Sequence, residues 1–279
     1  YKRQVYILRF DGVYMDSEVL LNGEKIFEWK YGYTTFDVEL KGLREGENVI
    51  EVIVHHKSPN TRWYSGAGIF RNVWLTESGE DRIIPDGTYF CADLDGDRWM
   101  VGIDTEVIGS GEAIIRHTLL DREGHTVKTV EKPCVLMPEV TRVNQKFWAE
   151  DIRCWDIEDP YLYTLKTEII KGGESVYERC ERVGFKTTKF TTDDGFFLNG
   201  RPVKIHGACM HHDMGALGSA VNKNAIRRQL EIMKGMGVNS IRTSHNPPAP
   251  ELMDLADEMG IMIDSEAVSY THLRAHETD

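Results

Sequence analysis

Between Val5 and about Leu75 the chain alternates apolar and polar positions in short runs that turn residues interrupt. Val5-Tyr-Ile-Leu-Arg-Phe10 runs into Asp11-Gly12, Val19-Leu-Leu21 into Asn22-Gly23, and Asn48-Val-Ile-Glu-Val-Ile-Val54 into a polar loop. A period of two marks a strand with one buried face, and Asp-Gly or Asn-Gly favours the positive φ of a tight turn. The pattern predicts an all-β domain, a sandwich or jelly roll. From about Arg82 to Lys186 the strands continue with new turns at Asp95-Gly96, Arg122-Glu-Gly124 and Gly172-Gly173. About 100 residues of such strands suit an immunoglobulin-like sandwich. Within it, Trp155 to Pro160 forms a proline-marked turn that leads into a strand at Tyr163.

After Phe185 the periodicity changes. Phe196-Phe-Leu-Asn-Gly-Arg-Pro202 reads as a small hairpin, followed by a strand over Val203-Lys-Ile-His-Gly207. Ile226, Leu230, Met233 and, less well placed, Met236 have helical spacing, with Asn222 or Asn224 to cap the start and Gly237 the end. A strand over Ser240–Thr243 follows. Next comes a helix with Pro250 in its first turn and a stripe of Leu252, Leu255, Ala256 and Met259; Gly260 ends it, and Ile261-Met-Ile-Asp264 is a third strand. Such short strand–helix connections imply parallel strands, the opening of a barrel or of a doubly wound sheet.

Composition narrows the partners. The chain has 279 residues, 41% apolar and 28% charged, with a net charge of -12. That charge argues against a nucleic-acid partner, which favours a basic face. No apolar run approaches the roughly 20 residues of a membrane span. Cys91, Cys134, Cys154, Cys180 and Cys209 are odd in number and dispersed. They read as buried apolar residues of a reducing compartment, with a cytoplasmic location preferred, rather than as a disulfide framework. The segment 268–279 shows neither strand alternation nor a helical stripe, resembles translated adapter sequence, and is expected to be a non-native tail.

The candidate chemistry lies in Val238-Asn-Ser-Ile-Arg242-Thr-Ser-His245-Asn246-Pro-Pro248, a strand that ends in polar side chains and is stopped by two prolines. α/β barrels keep their active sites at the carboxyl ends of their strands. His211, His212 and Asp213 end the first strand of this region, and Asp264 and Glu266 the third. The first three invite a metal reading, but no HxxxH or HExxH frame supports zinc. Neither a metal nor a cofactor is expected.

Several motifs in order resemble glycoside hydrolase family 2, whose members include β-galactosidases, β-glucuronidases and β-mannosidases. Phe10-Asp-Gly-Val-Tyr-Met-Asp-Ser-Glu-Val19, Asn22-Gly23, Gly32-Tyr-Thr-Thr-Phe36 and Gly46-Glu-Asn48 resemble the family's sugar-binding sandwich. Arg62-Trp-Tyr-Ser-Gly-Ala-Gly-Ile-Phe-Arg71-Asn-Val73 is similar to its closing segment. Val183-Gly-Phe-Lys186, Leu198-Asn-Gly-Arg-Pro202 and Gly207-Ala-Cys-Met-His211-His-Asp213 resemble the junction into the barrel, and Arg242-Thr-Ser-His245-Asn-Pro-Pro248 completes the match. The resemblance implies a multidomain β plus α/β architecture. It comprises a partial jelly-roll β-sandwich (1–78), an immunoglobulin-like β-sandwich (79–186) and about the first three strands of a (β/α)8 TIM barrel (187–267), with the tail at 268–279.

The implied function is hydrolysis of terminal β-D-galactosyl residues with retention. Such enzymes need two carboxyl groups about 5–5.5 Å apart. The resemblance places both as Glu residues after barrel strands four and seven, so neither catalytic residue is in this chain and the fragment alone is expected to be inactive. It also makes His245 a contact of the glycone subsite, with Asn246, Arg242, His211, His212, Arg62 and Trp63 as further substrate-binding residues and Asp213, Asp264 and Glu266 behind them. Ser265 stands where relatives usually have Asp. Arg62 stands where well-known bacterial members have an Asp that touches the sugar; a guanidinium there suits an acidic sugar, so β-glucuronidase is the alternative activity. A non-catalytic carbohydrate-binding protein is the alternative of another class. A β-galactoside is the expected partner, and the parent's assembly, a homo-oligomer included, is left open.

Overall fold

The computed structural model describes residues 4–57 and 65–266. Arg62, Trp63 and the segment 268–279 lie outside the described residues. The polypeptide forms two units, one from Tyr6–Thr76 with Ile205–Asp279 and the other from Tyr1–Val5 with Glu77–Lys204.

In the first unit the alternating runs become β1 (Val5–Phe10), β2 (Val13–Tyr14), β3 (Ser17–Leu21), β4 (Glu24–Trp29), β5 (Phe36–Glu39), β6 (Ile50–Val54), β7 (Gly68–Ile69) and β8 (Val73–Ser78). They form three small sheets, ordered β5-β1-β8, β4-β3-β6 and β2-β7. The inward positions of the runs supply one core, Leu8, Phe10, Val19, Phe36 and Val38, against which Phe27, Trp29 and Val52 pack. Asn22 and Gly23 both take positive φ and make the tight turn between β3 and β4. Asp11-Gly12 differs from the expected turn. Gly12 keeps φ outside the positive range, and its small size answers to packing, since a Cβ there would lie 2.8 Å from Arg71 Cδ.

The same unit holds a parallel βαβαβ run: β19 (Gly207–Met210), α1 (Lys223–Gly235), β20 (Ser240–Thr243), α2 (Pro250–Met259) and β21 (Met262–Ser265). The sheet order is β19-β20-β21. Asn222 Oδ1 accepts from the backbone of Asn224 and Ala225 at the start of α1, two of the donors a helix start leaves unsatisfied. Gly260, in the left-handed conformation, ends α2. Ile226, Leu230, Ile241, Leu252, Leu255, Ala256 and Ile261 bury the helix-facing side of the sheet.

Two strands begin later than their apolar runs suggest. Val203 N donates to Phe196 O and so extends the preceding hairpin; the first barrel strand starts only at Gly207, where pairing with Ser240 begins. Ile261 N still donates to Ala256 O at the end of α2, and Met262 N is the first to reach Asn239 O of the neighbouring strand segment.

In the second unit, β9 (Arg82–Asp95), β10 (Arg98–Ile108) and β13 (Thr141–Ala149) form one antiparallel sheet. β11 (Gly111–Leu120), β12 (Thr126–Leu136), β14 (Tyr163–Lys171) and β15 (Glu174–Val183) form the other. Trp99, Val101, Ile103, Leu119, Leu165 and Phe185 meet between them. Polar groups cross that core: buried His117 on β11 meets Thr105 Oγ1 on β10 through Nε2 at 2.9 Å, and Gln145 Nε2 on β13 donates to Ile115 O on β11 at 3.0 Å. A hairpin of β16 (Thr188–Thr191), β17 (Gly195–Leu198) and β18 (Arg201–Pro202) follows, turning at Asn199-Gly200 with both residues at positive φ. The cysteines are not the buried residues expected: Cys91, Cys180 and Cys209 are exposed and Cys134 and Cys154 half-buried, because the exposed three occupy positions that alternate outward on their strands.

Candidate functional site

Alternation along β20 decides which way each side chain points. Ile241 is buried among the helices, so Arg242 projects from the opposite face of the sheet. Its Cα partners are Cys209 on β19 and Asp264 on β21. Thr243 turns inward again, and its Oγ1 accepts from Glu266 N at 3.1 Å. Ser244 N donates to Met210 O at 2.9 Å and so ties the loop to β19.

These anchors place one carboxylate between two cationic or donor groups. Glu266 Oε2 lies 2.6 Å from Arg242 Nη2 and 2.9 Å from His245 Nδ1. A carboxylate only accepts, so in this contact Nδ1 of His245 carries the hydrogen. Arg242 Nη1 also donates to Ser244 Oγ at 3.3 Å. His211 meets the ring of His245 edge to face, with centroids 5.5 Å apart. Burial, then the nearby His245 and Arg242, holds His211 below the ordinary imidazole range.

His212 turns the other way. Its ring lies against Tyr33, centroids 4.8 Å apart, and burial, aided by Arg71, pushes its pKa down to about 4. It is therefore neutral near pH 7 and is hydrogen-bonded to the backbone of Asn246. Asn246 Oδ1 accepts from Tyr31 Oη at 2.5 Å. Arg71 donates through Nη2 to Pro247 O at 2.7 Å and through Nη1 to Pro248 O at 3.3 Å. Nη1 also reaches Tyr33 O at 2.9 Å and Asp11 O at 3.3 Å. Burial pulls the guanidinium down to about 10, which still leaves it charged at neutral pH.

The residues singled out from the sequence thus fall into two connected groups. Arg242, His245, Glu266 and His211 surround one point at the carboxyl ends of the strands; Asn246 and His212 face the aromatic residues of the sandwich. Asp213 stands apart, its Oδ1 accepting from Gly215 N at 2.8 Å to shape its own loop. Asp264 is exposed although it is the register partner of Arg242, and the ion pair goes to Glu266 instead. Tyr31 carries no signal of this kind in the sequence, and Tyr33 and Arg71 stand out only as parts of motifs that resemble the family's sandwich. For Arg71 a physical hint is added: a guanidinium after the apolar run Gly68-Ile-Phe70 demands an acceptor cage once buried.

Comparison with known proteins gives this geometry a family. The model for the TIM barrel domain of glycosyl hydrolases family 2 matches residues 190–278, and a second model, glycosyl hydrolases family 2, matches residues 88–186. The chain belongs to glycoside hydrolase family 2. Beta-galactosidase BoGH2A of Bacteroides ovatus is 40% identical over 273 residues, covering 95% of this chain and 32% of that protein. A putative beta-glucuronidase of Formosa agariphila is 34% identical over 275 residues, covering 97% of this chain and 26% of that protein. The crystal structure of a family 2 member from Bacteroides cellulosilyticus superposes with a TM-score of 0.90 at 30% identity, covering 95% of this chain and 37% of that one. The chain therefore spans about a third or less of the length of these family 2 relatives. Its architecture is that of the family: β-sandwich and immunoglobulin-like domains followed by the first strands of the TIM barrel.

Proposed function

We propose that this chain forms part of the glycone-binding wall of a retaining exo-β-glycosidase that acts on β-galactosides. The observation that carries the reading is the Glu266–His245 pair, which holds the imidazole at the strand ends. A sugar hydroxyl hydrogen-bonded to that imidazole becomes more acidic as positive charge develops on the ring. The bond then strengthens in the transition state, which is the requirement for catalysis rather than mere binding. Glu266 itself is committed to Arg242 and His245. The two carboxyl groups of the double displacement are assigned to Glu residues after barrel strands four and seven of the longer protein. One protonates the glycosidic oxygen while the other attacks the anomeric carbon, and water then releases the sugar with the first acting as base.

The choice of galactoside rests on the 40% identity to a β-galactosidase. A β-glucuronide is the second reading, favoured by the Formosa relative of that name. The test uses a longer protein that contains this chain and a whole barrel, assayed with aryl β-galactoside and aryl β-glucuronide. Faster turnover of the galactoside, lost on His245→Ala, is the expected result. Preference for the glucuronide replaces the substrate assignment, and turnover of neither overturns the glycosidase reading.

A further inference from the structure

The loop after β20 is gripped around Asn246 almost completely. The ring of His212 is hydrogen-bonded to its backbone, and Arg71 holds the carbonyls of the next two residues, Pro247 and Pro248. The side-chain oxygen is occupied by the Tyr31 hydroxyl at 2.5 Å. Tyr31 comes from the segment between β4 and β5 of the sandwich, and burial, the first cause, raises its pKa, so the hydroxyl keeps its hydrogen and donates. An amide whose oxygen is satisfied in this way has one orientation, with its two N–H groups directed away from the tyrosine. Among the described residues none accepts from Asn246 Nδ2.

We infer that Tyr31 is a positioning residue for substrate: by occupying Asn246 Oδ1 it fixes the amide so that Nδ2 donates to a hydroxyl oxygen of the non-reducing-end sugar. This rests on the proposed glycosidase reading and adds a sandwich residue to its specificity. The oxygen of an unanchored Asn246 competes for the same position, and a sugar hydroxyl approached as an acceptor then meets another acceptor. His245 and Asn246, adjacent in sequence, divide the work. His245 offers its imidazole to the sugar and Asn246 Nδ2 donates a hydrogen to it.

A double-mutant cycle on the longer protein tests the inference, with kcat and KM measured for an aryl β-galactoside. Tyr31→Phe removes one hydroxyl and is expected to raise KM about three- to tenfold, the range for a single hydrogen bond, with the loss falling on KM rather than kcat. In the Asn246→Ala background the same substitution is expected to change nothing further, because its effect passes through the amide. Asn246→Asp, which keeps the acceptor for Tyr31 but has no N–H, is expected to bind as poorly as Asn246→Ala. Equal losses from Tyr31→Phe in both backgrounds, or a wild-type KM for Asn246→Asp, overturn the inference while leaving the glycosidase reading intact. Turnover of neither galactoside nor glucuronide by the unmutated protein removes both.

Discussion

Arg71 Nη2 donates to the carbonyl of Pro247 across 2.7 Å, joining residues 176 positions apart. The two prolines have no N–H to offer, so their carbonyls are the handles by which this loop can be held. A buried guanidinium with several donors in a fixed plane is suited to holding more than one at once.

Arg71→Met should therefore leave the Pro247, Pro248 and Tyr33 carbonyls short of a donor. The expected loss is about 3 kcal/mol, the scale for buried polar groups left unpaired, read as a lower midpoint in urea unfolding. A lysine at 71 supplies a charge but not the fork, and should recover only part of the loss.

Glu266→Gln removes the charge that faces Arg242 and His245 while nearly preserving shape. Hydrogen bonds to a charged partner are worth about 1.5–3 kcal/mol, so kcat/KM of the longer protein should fall about ten- to a hundredfold. Nitrogen NMR of His245 checks the cause: the Nδ1–H form should dominate in the wild type and lose its dominance in the variant.

His117 gives the immunoglobulin-like sandwich a pH dependence. Burial pushes its pKa from 6.5 down to about 4, so between those values the unfolded chain binds more protons than the folded one. Stability is then full above pH 6.5 and declines as pH falls toward 4, by up to about 3 kcal/mol from this group. Urea midpoints measured at pH 5 and pH 7 should differ less in His117→Gln than in the wild type.

Asn222→Ala deletes the side-chain cap on Asn224 N and Ala225 N. A loss of about 1 kcal/mol is expected, with faster amide hydrogen exchange confined to the first turn of α1.

Local chemistry was legible in the sequence wherever one segment decides its own conformation. Asn22-Gly23 and Asn199-Gly200 announce tight turns because few other pairs accept two positive φ values. β20 has the bounds its apolar run suggested, since Gly237 and the prolines limit it on both sides. Val203 to Gly207 misled because β-branched residues suit a hairpin extension as well as a barrel strand, and only pairing with Ser240 tells them apart. Gly12 misled for a related reason: the sequence shows that a side chain is missing, not whether a turn or a neighbour required it. In the candidate site, Arg242, His245 and Glu266 were visible as polar ends of successive strands. That Glu266 rather than Asp264 takes the ion pair depends on which carboxylate clears the strand end. Tyr31 was hidden, and Arg71 visible only inside a family-like motif with no role, because both act through contacts between distant segments, of which periodicity carries no trace.

The seam between the sandwich and the barrel in the first unit has a stricter requirement than any of its hydrogen bonds. A Cβ on Gly66 would fall 1.7 Å from Ser219 Oγ and 2.9 Å from its Cβ, while Val221 N is held to Phe70 O at 2.8 Å nearby. At that point the fold selects for an absence of atoms, and close-packed interiors give way reluctantly. Anyone recombining sandwiches and barrels from different relatives inherits this as a compatibility rule: one side of the seam has to bring a glycine, whatever sugar the other side was built to read.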